Sequence, residues 1–266
     1  MGIVTNNLQK LKRKWFSLSF YYLLYFIFLA TIKKRNQQGK IRFGKIKIKY
    51  NDLNAFVGMY NEIYFQQHYK FISKNSRPVI IDCGANIGLS VIYFQQLIPD
   101  AKIIAIEADP NVASILEENL KTNNCQAEVI TKAVWNSDDE LLSFSQLGAD
   151  SGSFYGTENI IQVKTIRLKS ILEQFDEIEL IKIDIEGAEL TVVEDAYIEF
   201  KKANKVFIEF HSFYGQEQKL DRILALLSSI GFRYIILPAK RMEQPFMPTK
   251  IKSGMDLQLN IFFYKE

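Results

Sequence analysis

Val79-Ile80-Ile81-Asp82-Cys83-Gly84-Ala85-Asn86-Ile87-Gly88 is the stretch that decides the fold. Its β-branched opening reads as a buried strand, and the glycines let the backbone turn sharply beneath a ligand. One acid, Asp82, stands at the strand end, and a second, Glu107, ends the next apolar run. Dinucleotide sites use G-x-G-x-x-G to seat a pyrophosphate on a helix N-terminus. Here the spacing is Asp-x-Gly-x-x-x-Gly, and a carboxylate holds the ground that a phosphate must approach. It repels a pyrophosphate and attracts a cation. The ligand expected from these residues is S-adenosylmethionine, a positively charged sulfonium that also carries ribose hydroxyls.

Outward from this stretch, apolar runs alternate with helical patterns, as in a doubly wound parallel sheet. Strands are predicted at 79–83, 102–107, 127–134, 179–184, 204–210, 232–237 and 257–264. Helices are predicted at about 88–98, 111–123, 187–196 and 216–230, and 143–165, with Gly148, Gly152 and Gly156, reads as an inserted loop or hairpin. Ligands of open α/β sheets bind outside the carboxyl ends of the strands. Asp82, Glu107, Asp184, Glu186, Glu209 and His211 all fall at such ends. An acid ending an apolar strand is costly unless solvated or partnered, so this gathering points to a site.

The chain has 266 residues, 48% of them apolar, enough for one sizeable α/β domain with an appendage. Cys83 and Cys125 make neither a disulfide framework nor a zinc site, and they read as small apolar residues in a reducing compartment. The formal charge of +3 hides an asymmetry: residues 1–51 hold 12 Lys and Arg and no acid. The remainder is therefore acidic overall, which argues against a nucleic-acid footprint spread across it.

Residues 15–32 (WFSLSFYYLLYFIFLATI) carry no charge, and Lys10, Lys12, Arg13, Lys14, Lys33, Lys34 and Arg35 flank them. Eighteen residues are just long enough to span a bilayer as a helix. The aromatic content suits the headgroup boundary, and basic clusters on both sides favour a helix lying on anionic lipid. Apolar residues run around the whole helix, so membrane association is expected ahead of simple docking on the domain; spanning and interfacial binding stay open. The division expected is 1–36 as a membrane-associating helix, 37–74 as a strand and helix extension, and 75–266 as the α/β domain. Within the extension, Ile41–Tyr50 reads as an edge strand or hairpin and Phe56–Ile72 as a helical lid or buttress.

Asp82–Gly88, Ile106-Glu107-Ala108-Asp109-Pro110 and Lys182-Ile183-Asp184-Ile185-Glu186-Gly187-Ala188-Glu189 together closely resemble the FkbM-type methyltransferases. The first motif is common to many methyltransferases; the Ile-Asp-Ile-Glu-Gly-Ala-Glu block is the specific one. The resemblance covers roughly residues 75–240 and leaves the N-terminal arm outside. It implies a Rossmann-like class I fold, a seven-stranded, mostly parallel sheet with helices on both faces, to which the separate reading of residues 15–32 adds an N-terminal hydrophobic helix. It further implies O-methyl transfer from S-adenosylmethionine to a hydroxyl of a sugar, glycolipid or related natural product. Gly84, Ala85 and Gly88 are then expected against the methionine moiety, with Asp82 near its amino group. Asn86 is expected to bond the carboxylate or cap the next helix. Glu107 is expected on the ribose hydroxyls, with Ala108, Asp109, Ala133 and Val134 bordering the adenine. Gly148–Ser153 is similar to a mobile loop that closes such sites, or is an ordinary turn.

Methyl transfer to a hydroxyl needs alignment and a group that takes the proton. Asp184 and Glu186 are two apart, as are Glu209 and His211, so each pair shares a strand face. These four are the candidate catalytic residues, with base catalysis by His211 or a carboxylate expected first. Capping of helix N-termini comes second and divalent-cation binding third, so no metal is assigned. His68 lies in an aromatic segment and is expected to be packed. The expected partner is a small-molecule, glycan or glycolipid acceptor, met at the cytoplasmic side of the membrane, with no nucleic acid. The competing classes are a nucleotide-cofactor oxidoreductase of similar fold, which lacks its glycine signature here, and a membrane-tethered scaffold without activity.

Overall fold

The computed structural model describes residues 18–33, 37–146, 152–153, 159–239 and 255–265. Helix α1 (residues 18–32) leads to a hairpin of β1 (Gly39–Phe43) and β2 (Ile46–Tyr50), then helix α2 (Leu53–Tyr60), which continues as a π-helical turn over Asn61–Phe65. The main fold follows as β3 (Val79–Cys83), α3 (Leu89–Leu97), β4 (Lys102–Ile106), α4 (Pro110–Thr122), β5 (Glu128–Ile130) and β6 (Ala133–Trp135). Next come β7 (Leu141–Gln146), β8 (Gly152–Ser153), β9 (Ile160–Arg167), α5 (Leu168–Leu172), β10 (Ile178–Ile183) and α6 (Glu189–Ala196). The chain closes with β11 (Ala203–Phe213), α7 (Leu220–Ser229), β12 (Arg233–Pro238) and β13 (Met255–Tyr264).

Seven strands form one mixed sheet in the order β12-β13-β11-β10-β3-β4-β5. β11, β10, β3, β4 and β5 run parallel, and β13 is antiparallel to both β11 and β12. Every residue of β10 is buried, as expected of a strand covered by helices on both faces. Alternate residues feed two cores: Ile80, Ala105, Leu180 and Phe207 pack with α3 and α4, while Ile81, Ile104, Ile181 and Val206 pack with α5, α6 and α7. The register sets Asp82 beside Lys182 and Cys83 beside Ile106 and Ile183, so three strands end at one level.

The single strand predicted over 127–134 is two. β5 stays at the edge of the main sheet, and β6 leaves it to pair in parallel with β9 in a second sheet, β6-β9-β7-β8. That sheet buries Ala133 with Phe144 and Val163. The predicted hairpin over 143–165 is present as the antiparallel pair β7 and β9. Of the expected mobile loop, Gly152 and Ser153 pair with β7 as β8, and residues 148–151 lie outside the described residues.

Of the two membrane readings left open for residues 15–32, spanning finds no support; residues 15–17 lie outside the described residues. Among the described residues no helix is long and apolar enough to cross a membrane. The N-terminal stretch does form a helix, and α1 lays one stripe on the domain: Ser19, Leu23 and Phe26 are buried, at helical spacing. Phe26 packs against Phe43, Phe56 and Tyr60 with ring centroids 6.0, 5.1 and 4.9 Å away. The opposite face leaves Phe20, Tyr21, Leu24, Tyr25, Ile27 and Phe28 exposed. The helix is thus docked on one side and bare on the other. The helix predicted over Phe56–Ile72 instead starts at Leu53 and its helical turns end at Phe65; Asp52 starts it, its carboxylate accepting the Asn54 and Ala55 N–H groups at 2.7 and 3.1 Å.

If α1 is part of the folded domain, Phe26→Ala should lower its stability by about 3 kcal/mol or more. Tyr25→Ala, on the bare face, should change it by less than about 0.5 kcal/mol. Urea unfolding of both variants checks this, and equal midpoints would show that α1 is not docked.

Candidate functional site

The turn after β3 is pinned to the end of β4: the Gly84 and Ala85 N–H groups both donate to the Ile106 carbonyl at 2.9 Å. Gly84 has φ +80°, and a Cβ there would lie 1.8 Å from the Asp184 carbonyl oxygen. The glycine is therefore required for the close approach of the β3 and β10 turns. Gly88, φ +83°, opens α3 with its missing Cβ towards Leu116, so it too serves packing.

Asp82 is fully buried. Ser90 donates to its Oδ2 at 2.5 Å, and Lys182 Nζ lies 3.2 Å from its Oδ1. The expected contact between Asp82 and a donor amino group is corrected: this carboxylate is closed to solvent and already has its cation. Lys182 also donates to the Gly84 carbonyl at 3.0 Å and reaches Asp184 Oδ2 at 3.4 Å. Burial alone would lower its pKa, but Asp82 and Asp184 outweigh that and hold the ammonium well above its usual range. Lys182 went unassigned at the sequence level, although a lysine inside an otherwise apolar strand is a signal for a buried ion pair.

Glu107, just past β4, is 9% exposed and accepts the Asn86 N–H at 2.9 Å and the Asp109 N–H at 3.0 Å. Burial pushes its pKa up to about 7, against the lowering effect of those two N–H donors. A buried carboxylate held by only two donors gains from further hydroxyl donors, so Glu107 fits a ribose diol. Asn86 adopts φ +49°, and its Oδ1 accepts the Ile87 N–H at 2.7 Å. Asp109 caps α4 by accepting the Asn111 N–H at 2.8 Å, the structural role open to any acid at that place. Ala85, Ala133 and Val134 are buried in the core and Ala108 packs beside Ala133.

The four candidate catalytic residues come together. His211 Nε2 lies 3.7 Å from Glu186 Oε2 and 3.8 Å from Glu209 Oε1, and ligand atoms of Asp184, Glu186 and His211 all fall within 4.8 Å of one another. Asp184, Glu186 and Glu209 line a cavity of about 480 Å³ with Asn86, Glu62, Gln66, His68, Gln258 and Asn260. His68, expected to be packed, does meet Phe262 edge-to-face, but it also reaches the cavity. His211 Nδ1 is 2.8 Å from Glu189 Oε1, which also accepts the Gly187 N–H at 3.0 Å. Glu189, another residue that sequence reasoning passed over, thus fixes the ring, and it does so from the first turn of α6.

Burial alone would lower the His211 pKa, yet the carboxylates of Glu189 and Glu186 hold the imidazolium well above its usual range. Burial raises Glu209, and Asp184 and Glu62 add to that. Glu186 sits at φ +55°, unusual for a residue with a side chain, and such strain collects at functional sites.

A family model, the methyltransferase FkbM domain, matches residues 82–234. The chain belongs to the FkbM methyltransferase family. Methyltransferase sdnD of Sordaria araneosa is 26% identical over 212 residues, covering 65% of this chain and 81% of that protein. Methyltransferase 1 of Beauveria bassiana is 22% identical over 162 residues, covering 51% and 65%. A solved FkbM methyltransferase of Methylobacillus flagellatus KT matches 80% of this chain and 52% of its own, at 18% identity and a TM-score of 0.47. Membership of this family disposes of the dehydrogenase reading.

An ionised Glu107 is the form that accepts ribose hydroxyls. Below a pKa of about 7, affinity for S-adenosylhomocysteine should fall about tenfold per pH unit, and it should level off above it. Calorimetric titrations from pH 5 to 8 check this, and Glu107→Gln should flatten the dependence. A profile in the native chain that is flat throughout would remove Glu107 from the ribose.

Proposed function

We propose that this FkbM-family chain transfers the methyl group of S-adenosylmethionine to a hydroxyl of a sugar, glycolipid or similar polyhydroxylated acceptor. The observation that carries the reading is the convergence of Asp184, Glu186 and Glu209 on one wall of a cavity rich in carboxylate and amide side chains, with buried His211 behind Glu186 and Glu209 at 3.7 and 3.8 Å. A lining of Glu62, Gln66, His68, Gln258 and Asn260 offers alternating donors and acceptors, which suits a ligand carrying several hydroxyls.

The donor, when bound, supplies a methyl carbon already activated by the sulfonium. The chain's task is to align the acceptor oxygen with that carbon and to remove the hydroxyl proton. Glu209 is the acceptor for that proton in this reading: it lines the cavity, and Gln258 donates to its Oε1. The acceptor oxygen forms the new bond to carbon, the carbon–sulfur bond breaks with its electron pair on sulfur, and the proton rests on the carboxylate. Glu189, by holding His211, fixes the imidazole beside Glu186 and Glu209.

We read the exposed apolar face of α1 as suited to a peripheral membrane setting. Its bare face carries aromatic and aliphatic side chains, and residues 1–51 are basic without an acid, a pattern that suits anionic lipid. α2 packs Phe56 and Tyr60 against α1, while Ala55, Gly58 and Met59 line the cavity. An acceptor anchored in lipid would therefore have a short way to travel.

Incubation with labelled donor and membrane or glycan extracts, followed by mass analysis, should show a product heavier by one methyl on oxygen. Asp184→Asn, Glu209→Gln and His211→Ala should each lower turnover by about 10²–10⁴. Near-full turnover in all three, with acceptor saturated, would rule out this proton path. Sedimentation with phosphatidylglycerol vesicles should carry the chain down at low salt, and Ile27→Ser with Phe28→Ser should leave it in solution. Equal behaviour with and without vesicles would remove the membrane from the account.

A further inference from the structure

We infer that Asp184, Glu186 and Nε2 of His211 form a binding site for a hard divalent cation of the Mg²⁺ or Mn²⁺ kind. The inference rests on the O-methyl reading for its purpose and on independent geometry for its existence.

Three observations point to a cation. One ligand atom from each of the three residues lies within 4.8 Å of the others, a spread that an ion about 2.3–2.6 Å from each can bridge and that side-chain movements of a few tenths of an ångström bring to the shorter bonds of Mg²⁺ or Mn²⁺. Nε2 of His211 belongs to a side chain only 1% exposed, it has no hydrogen-bond partner, and it faces the Glu186 carboxylate at 3.7 Å. That gap is too long for a hydrogen bond and suits two groups that share a central ion. The far nitrogen of the ring, Nδ1, is held at 2.8 Å by the buried carboxylate of Glu189. This carboxylate–histidine pair is the arrangement that orients an imidazole for a metal. Lys182 approaches Asp184 through Oδ2, so Oδ1 is the oxygen assigned to the ion.

The ligand set selects the class of ion. Two carboxylates and one imidazole, with no thiolate, favour Mg²⁺, Mn²⁺ or a similar hard cation over Cu(I) or a closed zinc site. Three protein ligands leave positions open, and Asp184 and Glu186 line the cavity. An acceptor hydroxyl entering there would meet the positive charge, its pKa would fall, and Glu209, 3.8 Å from Nε2, stands beside it to receive the proton.

The test uses the purified full-length chain after chelation, titrated with MnCl₂ and followed by the loss of the aqueous Mn²⁺ paramagnetic signal. One Mn²⁺ should bind per chain. Glu186→Gln and His211→Ala should each weaken binding at least about tenfold, and Glu189→Gln, a positioning change, about 10- to 100-fold. S-adenosylhomocysteine calorimetry on the same samples reports that each variant is folded. Donor binding without Mn²⁺ binding, or Mn²⁺ binding indifferent to Glu186 and His211, overturns the cation site alone. Site-dependent Mn²⁺ binding without donor binding keeps the cation site and overturns the methyl-transfer reading.

Discussion

The ammonium of Lys182 holds the centre of this molecule together. It stands between the Asp82 carboxylate, the Gly84 carbonyl and the Asp184 carboxylate, at 3.2, 3.0 and 3.4 Å. A buried lysine loses several kcal/mol of hydration, which only close partners offset. Here the partners come from two adjacent strands, because the register sets Lys182 directly beside Asp82. The pair therefore ties β3 to β10 at the level where both strands end. Ser90 extends the tie to α3, and the glycine at position 84 lets the two turns close to contact. Removing either charge would strand the other in the core, so the turn carrying Asn86 and the turn carrying Asp184 and Glu186 stand or fall together.

That arrangement separates the acids of the strand ends into two layers. Asp82 is spent inside, neutralised and closed to solvent. Asp184, Glu186 and Glu209 form the outer layer at the cavity wall, and Glu107 lies across the turn from them. Carboxylates crowded into a half-buried wall repel one another, and the upward shift of Glu209 records that repulsion on top of burial. A wall of this kind favours whatever brings in positive charge or a proton. A proton on His211 is stabilised there by Glu189 and Glu186, and a cation held by Nε2 would take that proton's place.

The main sheet was legible because strand formation follows local composition: Val79–Cys83 and Ile178–Ile183 are β-branched runs buried on both faces. The four candidate catalytic residues were legible for a related reason, since parallel strands must end together, although Asp184 and Glu186 lie in the turn past β10, Glu186 at φ +55°, and so do not share a strand face as expected. What escaped notice depends on partners distant in sequence. The break between β5 and β6 follows from pairing with β9 some thirty residues on, and nothing in residues 127–134 signals it. Asp82 and Lys182 are 100 positions apart, so neither announces the other, and Asp82 was given a ligand role that its burial forbids. Glu189 was quoted within the motif yet left without a task, because only the fold shows that β11 brings His211 to its side. α1 was read from an apolar run that surrounds the helix, and composition cannot tell which stripe a domain will cover.

The docked helix also changes what the cavity can be. α2 presents Phe56 and Tyr60 to Phe26 of α1, and Ala55, Gly58 and Met59 to the cavity. One helix thus separates the aromatic cluster from the acceptor space. Asp52 caps it, and the π-helical turn at Asn61–Phe65 sets Asn61 and Glu62 on the cavity side while Tyr64 stacks on Tyr60 at 5.5 Å. Close-packed aromatic rings transmit displacement because they leave little free volume. The bare face of α1 and the polar cavity thus lie on opposite sides of the layer formed by α2, whose packing against Phe26 fixes the position of the wall that holds Glu62.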